Sequence, residues 1–199
     1  MSLFSLDDIN TPLQQKSGAK SLVSSPASIL RLGTSLKQLE ETIGSLEENQ
    51  VIEYMTAGKW SMHELIEYSL RKIGSARVYL ATWTVTEEPV RSLVKMREEG
   101  LIRELHCLFD YRIKDRKPAA FELLKSISDS HALVKIHAKV TAMLSDQRGI
   151  AILSSANMTK NPRIEAGAVF CSHESAAFHS DWILQEITTA KAKANGNLE

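Results

Sequence analysis

The sequence has no excess charge of either sign, because its 199 residues include 24 Lys and Arg and 24 Asp and Glu. A globally basic surface that binds nucleic acid is therefore excluded, and any attraction to a polyanion must be local. No apolar run reaches the length of about 18 residues typical of a membrane-spanning helix. The N-terminus has no basic segment followed by an apolar one. We therefore expect a soluble, cytoplasmic protein.

Several motifs of metal and nucleotide chemistry are also missing. Cys107 and Cys171 are far apart and have no neighbouring cysteine, so we expect two buried thiols in a reducing compartment rather than a disulfide or metal pair. The six histidines are scattered, and neither His-x-x-x-His nor Cys-x-x-Cys occurs. A Gly-x-Ser-x-Gly elbow and a glycine-rich phosphate loop are absent as well. We expect no metal site and no cofactor.

The hydrophobic pattern predicts one α/β domain with appendages. With 43% hydrophobic residues the chain can bury one sizeable core. Strands are predicted at residues 51–55, 77–83, 103–109 and from Ala132, and helices begin near Ser61, Thr86 and Pro118. This alternation favours a mixed, largely parallel sheet flanked by helices on both sides. A final helix is predicted to carry Phe178, Trp182, Ile183 and Ile187 on one face.

The chain divides into four predicted regions. Residues 1–25 are rich in Ser, Gln, Lys, Gly and Asp and predict a mobile N-terminal arm. Pro26 and apolar residues at steps of three and four predict a helical extension over residues 26–50. This extension either packs on the domain or serves as a dimerisation element. The domain itself spans residues 51–195, and residues 196–199 form a disordered tail.

The stretch from Lys135 to Phe170 carries the most chemistry. His137 and Lys139 are two residues apart in a predicted strand, so their side chains leave the same face. The polar turn at residues 145–149 sends the chain back and delivers Ser155 and Asn157 close to where the hairpin began. Glu165 starts the next apolar segment. We expect these groups to meet near one end of a sheet and to suit a tetrahedral phosphate.

Each of these features is weak when it is taken alone. A strand histidine is more often a satisfied structural residue, and Ser-x-Asn after a strand is usually an ordinary turn. Glu165 taken singly is most simply a solvated carboxylate. The order and spacing of the whole set are much more specific.

In that order the residues resemble the phospholipase D superfamily, whose signature is His-x-Lys, then an aspartate, then Gly-Ser-x-Asn. The run N-M-T-K-N-P-R-I-E-A-G-A-V-F, from Asn157 to Phe170, is similar to the small single-motif bacterial endonucleases of that superfamily. Two positions depart from the signature. Leu144 stands where the family has its aspartate, with Asp146 two places later, and Ser154 stands where it has glycine. Tyrosyl-DNA phosphodiesterases also lack that aspartate and are active.

The resemblance implies an α/β/α sandwich with one motif per chain and a metal-independent phosphodiesterase activity. His137 would attack phosphorus and form a phosphohistidine, while Lys139 and Asn157 would hold the non-bridging oxygens. Ser155 belongs to the same motif, and Glu165 would orient an imidazole. The leaving group needs a proton from a second imidazole. One motif per chain therefore implies a C2 homodimer whose two His137 residues face each other across the axis.

A basic segment follows the predicted strand at residues 103–109. Ligands of open α/β sheets bind outside the carboxyl ends of the strands. A charged loop is more often just a solvated surface, but this position favours contact with a phosphate backbone. The segment contains the aromatic residue Tyr111. Its candidate substrate-binding residues are Arg112, Lys114, Arg116 and Lys117, extended by Lys160 and Arg163 beside Asn157.

Three functions remain open on the sequence. The first is a small metal-independent endonuclease acting on DNA or RNA. The second is a non-catalytic nucleic-acid-binding protein of the same fold, an alternative that Leu144 and Ser154 make credible. The third is a lipid phosphodiesterase, which the absence of a basic amphipathic helix able to lie on a membrane disfavours.

Overall fold

A nine-stranded sheet with helices on both faces organises the chain. The structure, a computed structural model, describes residues 19–24, 29–33, 36–160 and 162–196. The strands are β1 (Ala19–Ser24), β2 (Ile29–Gly33), β3 (Gln50–Met55), β4 (Ala76–Thr82), β5 (Ile102–Asp110), β6 (Ser130–Val134), β7 (Val140–Leu144), β8 (Gly149–Ser154) and β9 (Ala166–Cys171). The helices are α1 (Leu36–Ile43), α2 (Met62–Ile73), α3 (Glu87–Glu98), α4 (Ile113–Arg116), α5 (Pro118–Ile127) and α6 (His173–Ala194).

The strand order across the sheet is β2-β1-β3-β9-β8-β7-β4-β5-β6. The predicted mixed sheet flanked by helices is confirmed. Parallel pairing is confined to β4 with β5 and β5 with β6, where helices connect consecutive strands. The other pairs are antiparallel, so the sheet is less parallel than the sequence pattern indicated.

Successive side chains along a strand point to opposite faces of the sheet, so the buried residues form two clusters, one on each face. On β4, Val78 and Leu80 join the cluster that packs under α1, α2, α3 and α5. Tyr79 and Ala81 point the other way and pack with residues of α6. Because β4 is covered on both faces, its residues from Val78 to Thr82 are all buried. The segment that follows β4 and the segment that precedes β7 are therefore attached to a strand that is buried on both faces.

The predicted helix start at Ser61 is confirmed in detail. The Ser61 backbone N–H donates to the Glu64 carboxylate at 2.7 Å, as the capping-box spacing predicts. Gly74, with φ of 83°, ends α2. Pro118 occupies the first turn of α5, where its missing N–H costs no hydrogen bond.

The N-terminal prediction needs correction. Residues 19–24 of the predicted mobile arm form β1, which pairs with β3, and Ile29–Gly33 forms β2 rather than helix. The helical extension predicted over residues 26–50 therefore begins only at Leu36. Short apolar runs do not distinguish strand from helix by periodicity, which explains the error. Residues 1–18 of the arm and 197–199 of the tail lie outside the described residues.

Two further packing predictions have different outcomes. Leu39 and Ile43 of α1 are buried in the main core, which supports packing on the domain for this helix. The prediction that Phe178 shares one face of α6 with Ile183 and Ile187 is wrong, since Phe178 is 66% exposed whereas the two isoleucines are buried. Cys107 and Cys171 are free and buried. Within the described ranges, no helix is both long and apolar enough to cross a bilayer.

Phe109 and Tyr111 provide a matched test of this core. Phe109 is fully buried on β5 and meets Phe121 edge-on with ring centroids 5.8 Å apart, whereas Tyr111 is 48% exposed. We expect Phe109→Ala to lower the free energy of unfolding by about 3–5 kcal/mol. We expect Tyr111→Ala to change it by no more than about 0.5 kcal/mol. Urea unfolding measures both values, and equal losses would contradict the described core.

Candidate functional site

The strand registers bring the motif residues to one end of the sheet. Ala81, near the carboxyl end of β4, pairs with Val140 at the start of β7, and Val140 pairs with Leu153 near the end of β8. Ser154 in turn pairs with Gly167 near the start of β9. The segments just before β7, just after β8 and just before β9 therefore lie side by side. They carry, respectively, His137 with Lys139, Ser155 with Asn157, and Glu165.

His137 and Lys139 meet by a different route from the predicted one. The sequence indicated a strand through both residues, but β7 begins only at Val140 and residues 136–139 have no regular structure. Lys139 Nζ lies 3.1 Å from His137 Nδ1, 3.2 Å from Nε2 and 2.9 Å from the His137 carbonyl oxygen. The irregular segment lets the lysine side chain fold back onto the exposed imidazole.

Burial changes the acidity of the Lys139 ammonium. Its side chain lines a small cavity with Thr82 and Ala156. This burial lowers the pKa of Lys139, and the nearby Glu165 carboxylate opposes the shift. Burial therefore outweighs the carboxylate as an influence on the Lys139 pKa.

Glu165 is held against the end of β8. The Ser155 hydroxyl donates a short hydrogen bond to Glu165 Oε2, and the Ala166 N–H donates to the Ser155 Oγ at 3.1 Å. The Glu165 backbone is fixed to Thr56, which donates its N–H to the Glu165 carbonyl at 2.7 Å. The carboxylate therefore projects from a backbone that is anchored on both sides, at the end of β3 and the end of β8.

Asn157 lies between the buried residues Ala156 and Met158, just after β8. Its side-chain oxygen is buried and has no hydrogen-bond partner among the described residues. A buried acceptor without a donor costs about 1–3 kcal/mol, so stability alone does not account for an amide at this position.

Leu144 and Ser154, the two positions that depart from the phospholipase D signature, do not take a polar side chain away from this end of the sheet. Leu144 lies at the far end of β7, where it packs in the α6 layer. Asp146 lies in the turn beyond it and forms an ion pair with Arg103 at 2.8 Å. Ser154 has no left-handed backbone that would require glycine, and its hydroxyl accepts a hydrogen bond from the Ala156 N–H at 3.0 Å.

The basic segment begins at the same end of the sheet, where β5 ends. Asp110 is buried and accepts a hydrogen bond from Arg112 Nε at 2.7 Å. The Arg112 guanidinium also lies 5.8 Å from the centre of the Trp83 ring and 5.3 Å from that of Tyr111. Arg116 stacks closer on Trp83, at 4.4 Å. Cation–π contacts therefore attach two of the predicted substrate-binding arginines to one indole.

Trp83 was not predicted as a site residue, because the sequence pattern assigned it to the end of a buried strand. In the structure it follows β4 and meets His137 edge-on, with ring centroids 5.8 Å apart. The indole thus connects the histidine to the arginines. The sequence signal for a shared neighbour was the spacing of Arg112 and Arg116, because side chains four residues apart on a helical turn lie on the same face.

The remaining predicted cations are less closely associated with the motif residues. Lys114 and Lys117 are exposed, and Arg116 with Lys117 borders a groove of about 360 Å³ beside Thr86 and Glu87. Lys160 forms an ion pair with Glu88 at 2.8 Å, which reduces the charge it offers to a ligand. Arg163 is exposed, and its carbonyl oxygen accepts a hydrogen bond from Thr56 at 3.4 Å. In the part of the chain that the structure describes, no group of three or more His, Cys, Asp or Glu side chains has metal-binding geometry.

Comparisons with known proteins assign no family to the chain. No protein-family model matches it, and no curated protein does. Among solved structures, a polyphosphate kinase from Porphyromonas gingivalis aligns with a TM-score of 0.49 and 13% identity over 84% of this chain. The alignment spans only 30% of the kinase. A likeness at this level identifies neither the family nor the activity.

The Asp110–Arg112 pair predicts a specific acid sensitivity. The Arg112 hydrogen bond lowers the pKa of Asp110 below its ordinary value of 3.8, against the opposing effect of burial. The unfolded chain then binds more protons in this range, so the pair stabilises the fold above pH 3.8 and loses its effect as pH falls through the lower folded-state pKa. Urea unfolding should show Asp110→Asn to be less stable than wild type at pH 6, with a difference that shrinks on acidification.

Asp115→Asn is the matched control, because this aspartate is exposed in α4, a few residues along the same segment. It should leave the pH profile of stability close to that of wild type. A constant difference between Asp110→Asn and wild type at every pH would refute the assigned role of the ion pair.

Proposed function

We propose that this protein is a metal-independent phosphodiesterase of the phospholipase D superfamily that cleaves nucleic acid as a small endonuclease. One observation carries the proposal. An exposed imidazole, an ammonium and an anchored carboxylate lie at one end of the sheet, beside two arginines stacked on a shared indole. A nucleophile, an anion-binding cation and a basic surface are the parts that phosphodiester hydrolysis requires.

The chemistry begins at the His137 ring. A neutral imidazole nitrogen attacks phosphorus and displaces one bridging oxygen, which leaves as an alcohol after it receives a proton from a second imidazole. The product of this step is a phosphohistidine. Water then attacks the same phosphorus, gives its proton to the second imidazole, and releases a phosphomonoester and the free histidine. Protons and phosphoryl groups balance over the two steps.

Lys139 provides charge to the non-bridging oxygens. In the absence of a ligand its ammonium rests on the ring and carbonyl of His137. A phosphate brought against His137 would offer the ammonium a charged acceptor in place of that neutral carbonyl. Charge-assisted hydrogen bonds are roughly twice as strong as neutral ones, so the exchange favours the bound anion. Asn157 is the proposed second donor, and the transition state gains most because its equatorial oxygens carry more charge.

Glu165 and Ser155 act on the imidazole in this scheme. The carboxylate is held by the Ser155 hydroxyl and by the backbone contact with Thr56, so little rotational freedom remains to be lost when it accepts an N–H. A carboxylate that accepts from one ring nitrogen fixes the tautomer and exposes the other nitrogen for attack. We assign Glu165 this orienting role and Ser155 the role of positioning the carboxylate.

The second imidazole comes from a second copy of the chain. The sequence has a single His-x-Lys motif, so one chain supplies a nucleophile without the matching acid. In a C2 homodimer the exposed His137 of each protomer would meet its counterpart across the axis. The two sets of Trp83, Arg112 and Arg116 would then flank a single composite site, which suits a long polyanion better than an isolated phosphate.

A non-catalytic nucleic-acid-binding protein is the alternative raised by Leu144 and Ser154. The location of Leu144, at the far end of β7 in a hydrophobic layer, argues against it, because a residue there does not contact a phosphate held between His137 and Lys139. Ser154, the last residue of β8, has a backbone conformation that a non-glycine residue adopts readily. The catalytic proposal is therefore preferred.

The cleavage test uses matched variants in EDTA. Wild-type protein should cut an oligonucleotide panel, His137→Ala should lose roughly 10⁴-fold or more of the rate, and Lys139→Ala about 10²–10³-fold. His173→Ala and Lys135→Ala are the controls, since each removes an exposed side chain of the same type that has no assigned role in the chemistry. Binding without cleavage by wild type, unaltered in His137→Ala, would establish the non-catalytic alternative. Turnover of a phosphatidyl substrate alone would establish the lipid enzyme.

The shared site makes a second prediction about mixed dimers. When wild-type and His137→Ala chains are denatured together and refolded, activity should fall with the square of the wild-type fraction, because one intact imidazole is insufficient. Mass photometry should show a dimer. A linear fall in activity, or a monomer whose activity is first order in protein, would contradict the composite site.

A further inference from the structure

A continuous row of rings and guanidinium groups leads away from His137. The His137 ring meets Trp83 at 5.8 Å, Trp83 is 5.8 Å from the Arg112 guanidinium, and that guanidinium is 5.3 Å from the Tyr111 ring. Arg112 therefore lies against both aromatic rings. The proposed catalytic chemistry uses only the histidine at one end of this row and leaves the aromatic ring at the other end without a role.

Tyr111 differs from the other tyrosines of the described residues. It is 48% exposed, whereas Trp60, Tyr54, Tyr68 and Tyr79 are buried. Its backbone is fixed nonetheless, because the Tyr111 N–H donates to the Val134 carbonyl at 2.9 Å as the chain leaves β5. The buried Asp110 holds Arg112 beside it. A rigid backbone thus presents a half-exposed ring whose burial contributes little to the fold.

This arrangement suits a flat, uncharged ring attached to a phosphate. An aromatic face attracts nucleic-acid bases by stacking without regard to sequence, and adjacent guanidinium groups bind the connecting phosphates. The bases of a duplex already stack on their neighbours, so their faces are not available to a side chain unless a nucleotide is unpaired or flipped out, at a cost of a few kcal/mol. Unpaired nucleotides have no such cost.

We propose that Tyr111 is a stacking platform for an unpaired base next to the scissile phosphate, so that the substrate is single-stranded where it is bound. This inference rests on the proposed function and specifies its substrate class. The base lies on Tyr111, and the phosphates on either side lie toward Arg112 and Arg116. The groove bordered by Arg116 and Lys117 continues the path for the neighbouring part of the strand.

The test measures binding rather than cleavage, so that it is independent of the catalytic proposal. Each variant is made in a His137→Ala background, and fluorescence anisotropy gives its Kd for a labelled single-stranded oligonucleotide and for the matching duplex. Tyr111→Ala should weaken single-strand binding about tenfold, the effect of losing one stacked base, and should leave duplex binding within about twofold. Tyr111→Phe keeps the ring and should bind like the parent.

Two further variants separate stacking from other causes. Phe178→Ala removes a more exposed aromatic side chain, on α6 beside Phe170 near the other end of β9, and should not change either Kd. Arg116→Ala removes a phosphate contact and should weaken binding to both nucleic acids. Parallel cleavage assays with the active enzyme show separately whether the proposed function holds.

The outcomes are unambiguous. A selective loss of single-strand affinity in Tyr111→Ala, restored in Tyr111→Phe, supports the platform. Equal losses for single strand and duplex, unchanged affinity in Tyr111→Ala, or no binding to any oligonucleotide would each overturn it. If cleavage is observed but Tyr111→Ala binds normally, the proposed function stands and the platform does not.

Discussion

The site depends on the register of four neighbouring strands, β4, β7, β8 and β9. Their antiparallel pairing carries Trp83, His137, Ser155 and Glu165, which are distant in sequence, to one end of the sheet. A slip of one residue in any of these pairs would turn its side chains to the opposite face. Gly167 helps to fix the register, because a Cβ there would lie 2.3 Å from the Leu153 carbonyl oxygen and 2.7 Å from the Tyr54 hydroxyl. The proposed chemistry therefore depends on strand pairing, which brings the residues together, as much as on the residues themselves.

The chain as a whole carries no net charge, so any attraction for a polyanion depends on the arginines near this end of the sheet. Arg112 and Arg116 both lie against Trp83. Arg112 is also paired with Asp110, as Lys160 is with Glu88 and Arg103 with Asp146. Burial raises the pKa of the Tyr54 phenol, which lies next to Gly167 of β9. Because Arg112 is paired, Arg116 provides the unpaired charge of this surface among the described residues, at the same end of the sheet as the Glu165 carboxylate that the proposed phosphodiesterase site requires.

Much of the domain could be predicted from local signals, and the failures have physical causes. The Ser61–Glu64 capping box, Pro118 and the strand alternation around Val78 depend on neighbouring residues alone, and the structure agrees with each. Ile29 and Leu30 lack such a signal, and only pairing with β1 makes them a strand. His137 and Lys139 were assigned to a strand because their spacing fits one, but β7 finds its partners only from Val140 onward. Trp83 was not predicted because its ring neighbours, His137 on one side and Arg112 with Arg116 on the other, come from two segments distant in sequence from β4.

The central claim is that one phosphate is held jointly by His137 and Lys139 beside Trp83. An NMR titration with orthovanadate tests it most directly when the His137 ring, the Lys139 ammonium and the Trp83 indole are observed together. Orthovanadate is a tetrahedral phosphate analogue that becomes pentacoordinate when a nucleophile adds to it, and it then mimics the phosphoryl transition state. The account predicts that all three sets of resonances shift along one saturable curve and that His137→Ala abolishes the shifts at the other two. Shifts confined to exposed lysines such as Lys114, or an unperturbed His137 ring at saturation, would contradict it.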